Sequence, residues 1–354
     1  MKIALMADTH YGVRNDNHVF YEYQKKSNEF YFQKFKDAGI TTVVHLGDLV
    51  DRRKYLNYVT ADRLRKDLLD PLSQFDTHII CGNHDVYYKN TNDVNALDTL
   101  LGNYDFKVYL APEEIELAKT KVLMLPWING SNESESLNLV KSTAATLCLG
   151  HLEISGFEME SGRLCDHGLE YGLFEKFNLV VSGHFHHKSH YGPVNYMGAA
   201  YEFTWADFND PKGCAILDLE TMNMEHIRNP HSIFKVYRYD DVHAMDSIKN
   251  DLENKDWSSF KDNYVKIFVE NKESPYTFDL VLDAIYNATP IDIKISDNMN
   301  YLVDDMDEID EVEDTTQIMN KYIDAMSLEA NKTKKVKSLM TELYQEAISL
   351  ENVE

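Results

Sequence analysis

Five short apolar runs recur along the chain, at 3–7, 43–46, 79–81, 147–149 and 179–181. Each gives way within a few residues to Asp, Asn or His: Asp8-Thr9-His10, Gly47-Asp48-Leu49-Val50-Asp51, Gly82-Asn83-His84-Asp85, Gly150-His151 and Gly183-His184-Phe185-His186-His187. Runs this short, bounded by Gly and polar residues, predict buried strands. Between them the apolar spacing turns helical. Residues 17–36 read as a helix with Gly39 as its stop, and 57–72 as a second, with Leu64, Leu68, Leu69 and Leu72 on one side. Residues 92–101 and 134–142 read as two more.

Further short strands are predicted at 106–110, 115–118, 121–125, 194–201 and 213–219. Strands alternating with helices predict an α/β fold with right-handed crossovers, its mixed sheet or sheets flanked by helices. The first domain, 1–230, is expected to end near Asn229-Pro230. The pattern then restarts as strand, helix, strand, helix, strand at 234–239, 243–252, 264–269, 276–285 and 291–295. This is a small α+β capping domain over 231–300. Residues 301–314 read as an acidic linker, since eight of the eleven residues from 304 to 314 are Asp or Glu and like charges extend a chain. Residues 315–354 read as a helical tail, with Ile318, Met319, Tyr322, Ile323, Met326 and then Val336, Leu339, Met340, Leu343 and Ile348 at helical spacing.

Composition narrows the picture. A chain of 354 residues is long enough for two or three domains, one with a full core. No apolar run approaches the ~18 residues of a membrane span, and the N-terminus runs directly into a strand without a signal-like segment. A cytoplasmic location is therefore expected. The four cysteines, Cys81, Cys148, Cys165 and Cys214, have no paired metal spacing and read as free thiols in a reducing compartment. The net charge of −24 argues against a module that coats nucleic acid through bulk electrostatics. It leaves room for a metal-dependent enzyme acting on nucleic acid, because bound cations invert the local field.

The polar residues after the runs have the chemistry for two metal ions. Asp8 and His10, on one face of an extended segment, can hold one ion with a carboxylate oxygen and an imidazole nitrogen. Asp48 is the candidate bridge, Asn83 offers an amide oxygen, and His151, His184 and His186 add imidazoles. This mixture suits Mn, Fe or Zn, and its oxygen content favours Mn2+, with Mg2+ as the alternative. Two ions ~3.5–4 Å apart can clamp a phosphate and activate water. His84 diverges from its neighbour Asn83 and reads as the general acid for the leaving oxygen, with Asp51 orienting it and raising its pKa. His45 reads as a residue of the core or just behind the ligands, His187 and His190 as solvated loop, and the aromatics between 21 and 35 as a core face. Any one motif occurs by chance; five in this order, each after an apolar run, do not.

Taken together, these motifs resemble those of the calcineurin-like metallophosphoesterases over residues 1 to about 220. Within them the chain resembles the SbcD-type DNA-repair nucleases, and among those the recombination endonuclease subunits of T-even-like phages. The supporting features are Leu125-Pro126-Trp127-Ile128, Tyr196-x-Gly198, the small cap and the helical tail. The resemblance implies one ion at Asp8, His10, Asp48 and His186, a second at Asp48, Asn83, His151 and His184, and His84 as the catalytic histidine. It also implies a DNA exo/endonuclease whose tail, 315–354, docks on an SMC-like ATPase, and a homodimer paired through helices 57–72 and 92–101. Position 51 is Asp where many cellular members carry His, and Met197-Gly198-Ala199 stands where Pro-Gly-Ser is usual. The alternatives are a phosphatase or cyclic-nucleotide phosphodiesterase of the same superfamily, or a non-catalytic scaffold.

Overall fold

The structure, a computed structural model, describes residues 1–160 and 163–296 together with Val336 and Met340. The described residues up to Ser296 belong to one compact unit. The acidic linker and the helical tail expected over 301–354 lie outside the described residues, those two positions apart.

The apolar runs are strands, and they build two six-stranded sheets. The strands of the first are β1 (Lys2–Met6), β2 (Thr42–His45), β3 (Asp76–Ile80) and β4 (Lys107–Tyr109), with β13 (Gly213–Asp218) and β14 (Met224–Arg228) from later in the chain. Their order is β14-β13-β1-β2-β3-β4, parallel from β1 to β4 and antiparallel where β13 and β14 join. The second sheet takes β5 (Glu113–Leu117), β6 (Thr120–Leu125), β7 (Leu147–His151), β10 (Leu179–Gly183), β11 (Ser189–Tyr191) and β12 (Val194–Tyr196), in the order β11-β12-β10-β7-β6-β5. A hairpin of β8 (Glu158–Glu160) and β9 (Arg163–Leu164) lies between β7 and β10 in the chain.

The two sheets pack face to face. Ile3, Leu5, Val44 and Ile80 from one meet Val122, Met124, Leu147, Leu149 and Val181 from the other in a single buried cluster. Alternate residues point the other way, as a strand requires. Thus Ala4, Met6, Val43 and Ile79 pack under helix α1 (His18–Asp37) through Phe20, Tyr31, Phe32 and Phe35. On the far side Leu123, Leu125, Cys148 and Val180 pack with Val140 of helix α4 (Glu133–Ser142). The aromatics of α1 are thus core, and the architecture is a helix-flanked pair of mixed sheets.

Local chemistry sets the element ends. Asn17 caps α1 by accepting the Val19 N–H at 2.9 Å, and Gly39 leaves the helix at φ +67. Helix α2 (Tyr58–Leu64) runs on through a wider turn at Arg65–Leu69 to Leu72. Pro71 cannot donate to the Asp67 carbonyl four residues back; the Asn28 amide donates to it instead at 3.1 Å. Two predicted elements are shorter than expected. The helix predicted over 92–101 is only α3 (Ala96–Leu100), because Asn95 caps it by accepting the Asp98 N–H and Asn92 donates to the Leu110 and Trp127 carbonyls. The strand predicted over 194–201 stops at Tyr196. Gly198, at φ +74, turns the chain away, so that Ala199 and Ala200 bond to His186 and Ala7.

Beyond residue 230 a three-stranded parallel sheet follows, β15 (Phe234–Asp240), β16 (Tyr264–Asn271) and β17 (Asp292–Ser296), crossed by α5 (Met245–Asn254) and α6 (Pro275–Asn287). It has its own core of Tyr239, Ile267, Phe278, Val281 and Ile285. It is attached to the larger body by packing of Ile233, Phe234 and Tyr264 into the main core and by the buried Glu202 carboxylate, which accepts the N–H groups of Ile233 and Phe234 and the Ser232 hydroxyl.

Candidate metal centre

The five polar stretches converge at one end of the two sheets. Asp8, Asp48 and Asn83 follow β1, β2 and β3; His151 is the last residue of β7, and His184 the first after β10. Parallel pairing of β1 with β2, of β2 with β3, and of β7 with β10 delivers these residues side by side. This is where α/β sheets place their ligands.

The segment carrying Asp8 and His10 is not extended, as the Asp-x-His spacing had implied. Asp8 and His10 are both left-handed, at φ +52 and +41, and so are Asp48 at +55 and His184 at +88. Such φ values in non-glycine residues cost on the order of 1–3 kcal/mol each and persist only where surroundings impose them. Here the surroundings are hydrogen bonds. Asp8 N–H donates to Gly47 O at 3.0 Å, Thr9 and His10 N–H to Asp48 O at 2.9 and 3.1 Å, and Tyr11 N–H to Leu49 O at 3.0 Å. His184 N–H donates to Asp8 Oδ1 at 3.0 Å.

The side chains form two donor groups. Asp8, His10 and His186 have ligand atoms within 4.8 Å of one another, and so do Asp48, His151 and His184. Asn83 Oδ1 joins the second, 2.8 Å from His151 Nε2 and 2.9 Å from His184 Nδ1. Asp48 Oδ2 stands between them, 3.6 Å from His10 Nε2 and 3.3 Å from His151 Nε2. The structure thus brings together all seven residues predicted as ligands.

The electrostatics fit cations. Burial holds His10 well below the ordinary histidine range and pushes His186 down to about 3, so both rings are neutral, as metal ligation requires. Their Nε2 atoms face each other at 3.0 Å. Burial, with Asp48 beside it, pushes Asp8 up to about 8. Asp48 stays well below the carboxylate range despite its burial, because His151 and His84 lie against it. Burial disfavours charge on His151, yet Asp48 outweighs it and raises that ring to about 9. Two buried carboxylates among histidines, with His10 Nδ1 buried and without a hydrogen bond, make a donor set that suits divalent metal.

His84 is half-buried beside both groups. Its N–H donates to Asp48 Oδ1 at 2.7 Å, and its ring meets the His10 ring edge-on at 4.7 Å. Its Nδ1 lies 2.5 Å from the main-chain carbonyl of Asp51. The hydrogen bond with residue 51 is therefore through the backbone; the Asp51 carboxylate, pushed up to about 6 by burial against the attraction of His84, lies 3.6 Å from His10 Nδ1.

Several supporting residues escaped the sequence reading. Asp85, the last residue of the Gly-Asn-His-Asp stretch, is fully buried and accepts the N–H groups of Asp48, Leu49, Val50 and Gly82. Glu153 Oε1 lies 3.5 Å from His184 Nε2. Buried Lys212 donates to the His186 carbonyl at 2.6 Å and pairs with Asp207 and Asp210. The Gly-Asn-His-Asp motif carried a signal for Asp85; Glu153 and Lys212 had none. His45 is buried, with Nε2 3.1 Å from the Thr9 hydroxyl, and acts behind the ligands. His187 lies between Glu158 and Asp210 at 3.2 and 3.0 Å, so it is paired rather than solvated.

Convergent Asp, Asn and His at the ends of two packed sheets are the mark of a phosphoesterase metal centre, and residues 1–188 match the family described as calcineurin-like phosphoesterase. The chain belongs to that family and is a metal-dependent phosphoesterase. It is 31% identical over 330 residues to exonuclease subunit 1 of Enterobacteria phage T4, spanning 92% of this chain and 93% of the relative. Among solved structures, a dimetal phosphatase from Danio rerio overlays with a TM-score of 0.40 at 12% identity, over 66% of this chain and 97% of its own. GAP50, an anchor in the inner membrane complex of Plasmodium, overlays with a TM-score of 0.39 at 13% identity, over 66% and 90%. Among the described residues, no helix is long and apolar enough to cross a membrane.

Proposed function

We propose that this chain is a DNA exo- and endonuclease subunit of a recombination and repair complex, hydrolysing phosphodiesters with two divalent ions. The observation that carries the two-ion reading is the position of Asp48 Oδ2 between His10 and His151. One ion would take Asp8, His10, Asp48 and His186; the other Asp48, Asn83, His151 and His184. Each ion would have two oxygen and two imidazole ligands, and the oxygen share favours Mn2+, with Mg2+ as the alternative. When bound, such a pair supplies charge stabilisation at the phosphate and an activated water. His84 donates its Nδ1–H to the Asp51 carbonyl, so a ring that also carries a proton on Nε2 would pass that second proton to the leaving oxygen and end as the neutral Nδ1–H form.

DNA as substrate rests on the T4 relative, an exonuclease subunit by name, whose likeness extends well past the phosphoesterase sheets. We assign residues 1–230 to the nuclease domain, 231–300 to a capping domain, 301–314 to an acidic linker and 315–354 to a tail that binds an SMC-like ATPase. Two-fold pairing of chains would use α2, where Tyr58 and Val59 are exposed, together with α3 and the exposed Val94 ahead of it. The site of action is the cytoplasm, that of the host if the chain is phage-encoded. The test is cleavage of end-labelled duplex and single-stranded DNA with Mn2+ or Mg2+, with and without a co-expressed ATPase. Mn2+-dependent shortening is expected. Intact DNA alongside hydrolysis of small phosphodiesters would return the chain to the phosphatases and cyclic-nucleotide phosphodiesterases. No hydrolysis at all would leave a scaffold.

A further inference from the structure

Among the described residues, one more group of metal-ligating side chains lies together outside the two donor groups at the strand ends: Glu153, Cys165 and His167. Their ligand atoms are all within 4.8 Å of one another. Two segments supply them, and four main-chain hydrogen bonds lock these segments side by side. Gly156 N–H donates to Cys165 O at 2.7 Å, Cys165 N–H to Phe157 O at 2.8 Å, Leu169 N–H to Glu153 O at 2.8 Å, and Ser155 N–H to Leu169 O at 3.0 Å. Gly168 adopts φ +93, and a Cβ there would lie 2.5 Å from the Glu153 carbonyl. Only glycine permits this approach, so the spacing of the three side chains is built into the backbone.

The donors are one sulfur, one imidazole and one carboxylate. Cys165 Sγ lies 3.8 Å from His167 Nδ1, and Glu153 Oε1 lies 3.4 Å from His167 Nε2. A tetrahedral zinc ion at ordinary bond lengths separates a sulfur and a nitrogen ligand by about 3.6 Å. The ring uses one nitrogen for this; its Nδ1 also faces the Asp166 carboxylate at 3.0 Å, an exposed contact that the ion would replace. Cys165 is buried, Glu153 is half-buried and His167 is exposed, so an ion reaches the thiol through the side where His167 stands. A sulfur-containing set selects zinc over the Mn2+ or Mg2+ favoured at the strand ends.

We propose that Glu153, Cys165 and His167 form a separate, thiolate-containing zinc site, joined to the strand-end centre through Glu153. Binding exchanges the Cys165 thiol proton, released to solvent, for the ion; no electron is transferred. The same Glu153 oxygen that faces His167 lies 3.5 Å from His184 Nε2. Zinc therefore draws on the carboxylate that steadies His184, and its occupancy is felt at the strand-end centre. Losing a partner of this kind changes metal affinity or activity about 10–100-fold. The site itself does not depend on the nuclease reading.

The experiment uses the full chain, stripped of metal and titrated with Co2+ as a spectroscopic probe, and separately with Zn2+ followed by metal counting after desalting. Wild type is expected to show a thiolate-to-cobalt charge-transfer band in the near ultraviolet. Cys165→Ser should lose the band and one zinc equivalent, and His167→Gln, at an exposed position that folding does not depend on, should weaken both. Asp48→Asn, which disrupts the strand-end centre, should keep the band. A wild-type protein without the band overturns the proposal, as does a band unchanged in Cys165→Ser or His167→Gln, or one lost in Asp48→Asn. In each of those cases the three residues are a plain Glu–His ion pair beside a buried thiol.

Discussion

Asp85 accepts the main-chain N–H of Asp48 at 2.9 Å while touching none of the candidate ligand atoms. It also accepts from Leu49 at 2.8 Å and from Gly82 at 2.8 Å, so one carboxylate fixes the turn after β2 and the turn after β3 together. That is how Asp48 keeps a left-handed backbone without being glycine. Asp85→Asn replaces one accepting oxygen with an amide that donates, facing N–H groups that also donate. Apparent metal affinity should fall about 10–100-fold, with a loss of about 1–3 kcal/mol in stability from the orphaned N–H groups. Isothermal titration with Mn2+ and urea unfolding check the two effects. Wild-type affinity in Asp85→Asn would remove it as the positioning residue for Asp48.

Gly82 answers Asp85 from the other side. A Cβ on residue 82 would collide with the Asp48 main-chain nitrogen and Oδ1. Neither is the free end of a flexible side chain, so Asp48 must move. Displacement on the order of 1 Å costs about 10²-fold in rate. Gly82→Ala should lose at least that much phosphodiesterase activity and bind less metal, with little change in circular dichroism. Normal metal content in this variant would mean that Asp48 does not bridge.

The pH dependence of metal uptake follows from Asp8 and His151. Burial lifts Asp8 to about 8, and Asp48 lifts His151 to about 9 against the effect of burial. Both hold protons near neutrality that a metal must displace. Affinity should therefore climb from about pH 6 to about pH 8.5, with proton release on binding. In the metal-free fold the sign is opposite. Each folded pKa lies above its unfolded value of about 3.9 or 6.5. The stability these groups contribute is present below the unfolded values and is lost as pH rises through about 8 and 9. The increase in melting temperature on adding Mn2+ should thus be larger at about pH 8.5 than at about pH 6. A pH-independent increase would contradict both shifts.

Glu202 joins the small parallel sheet to the larger body through Ser232, Ile233 and Phe234, and burial raises its pKa above the ordinary value. Glu202→Ala leaves two buried N–H groups without acceptors, which costs about 1–3 kcal/mol. Cleavage between residues 229 and 232 in limited proteolysis should speed up accordingly, while Glu202→Gln, which keeps an accepting oxygen, should lie between. Unchanged proteolysis in Glu202→Ala would place the attachment in the Phe20, Trp205, Phe234 and Tyr264 ring contacts instead.

What could be read from the chain divides along physical lines. Strands announce themselves when buried on both faces, so the runs before Asp8, Asp48, Asn83, His151 and His184 were visible, and with them the convergence of these residues. Backbone sign is not visible. Nothing about Asp8 or His10 reports a left-handed φ, because hydrogen bonds to the carbonyls of Gly47 and Asp48, some forty residues away, impose it. Apolar spacing also overruns element ends. It extended a helix over Asn92 and Asn95, whose side chains bond to backbone, and a strand over Gly198. Partners such as Glu153 and Lys212 have no periodicity at all and become visible only when the fold sets them against His184 and His186.

His84 is the residue for which geometry and proposed role can be separated most cleanly. It lies within 4.8 Å of donor atoms of His10 and Asp48, close enough to serve as a ligand itself. Against that, its Nδ1 is engaged by the Asp51 carbonyl and its N–H by Asp48 Oδ1, so a single nitrogen is left for either task. If it transfers a proton, His84→Ala should cut phosphodiesterase activity about 10²–10⁴-fold while metal content and affinity stay at wild-type levels. The loss should shrink on substrates with a good leaving group, such as a nitrophenyl ester, which departs without protonation. If it ligates, metal content falls and both kinds of substrate suffer equally. Metal counting on desalted protein, paired with rates on DNA and on a nitrophenyl phosphodiester, decides between the two.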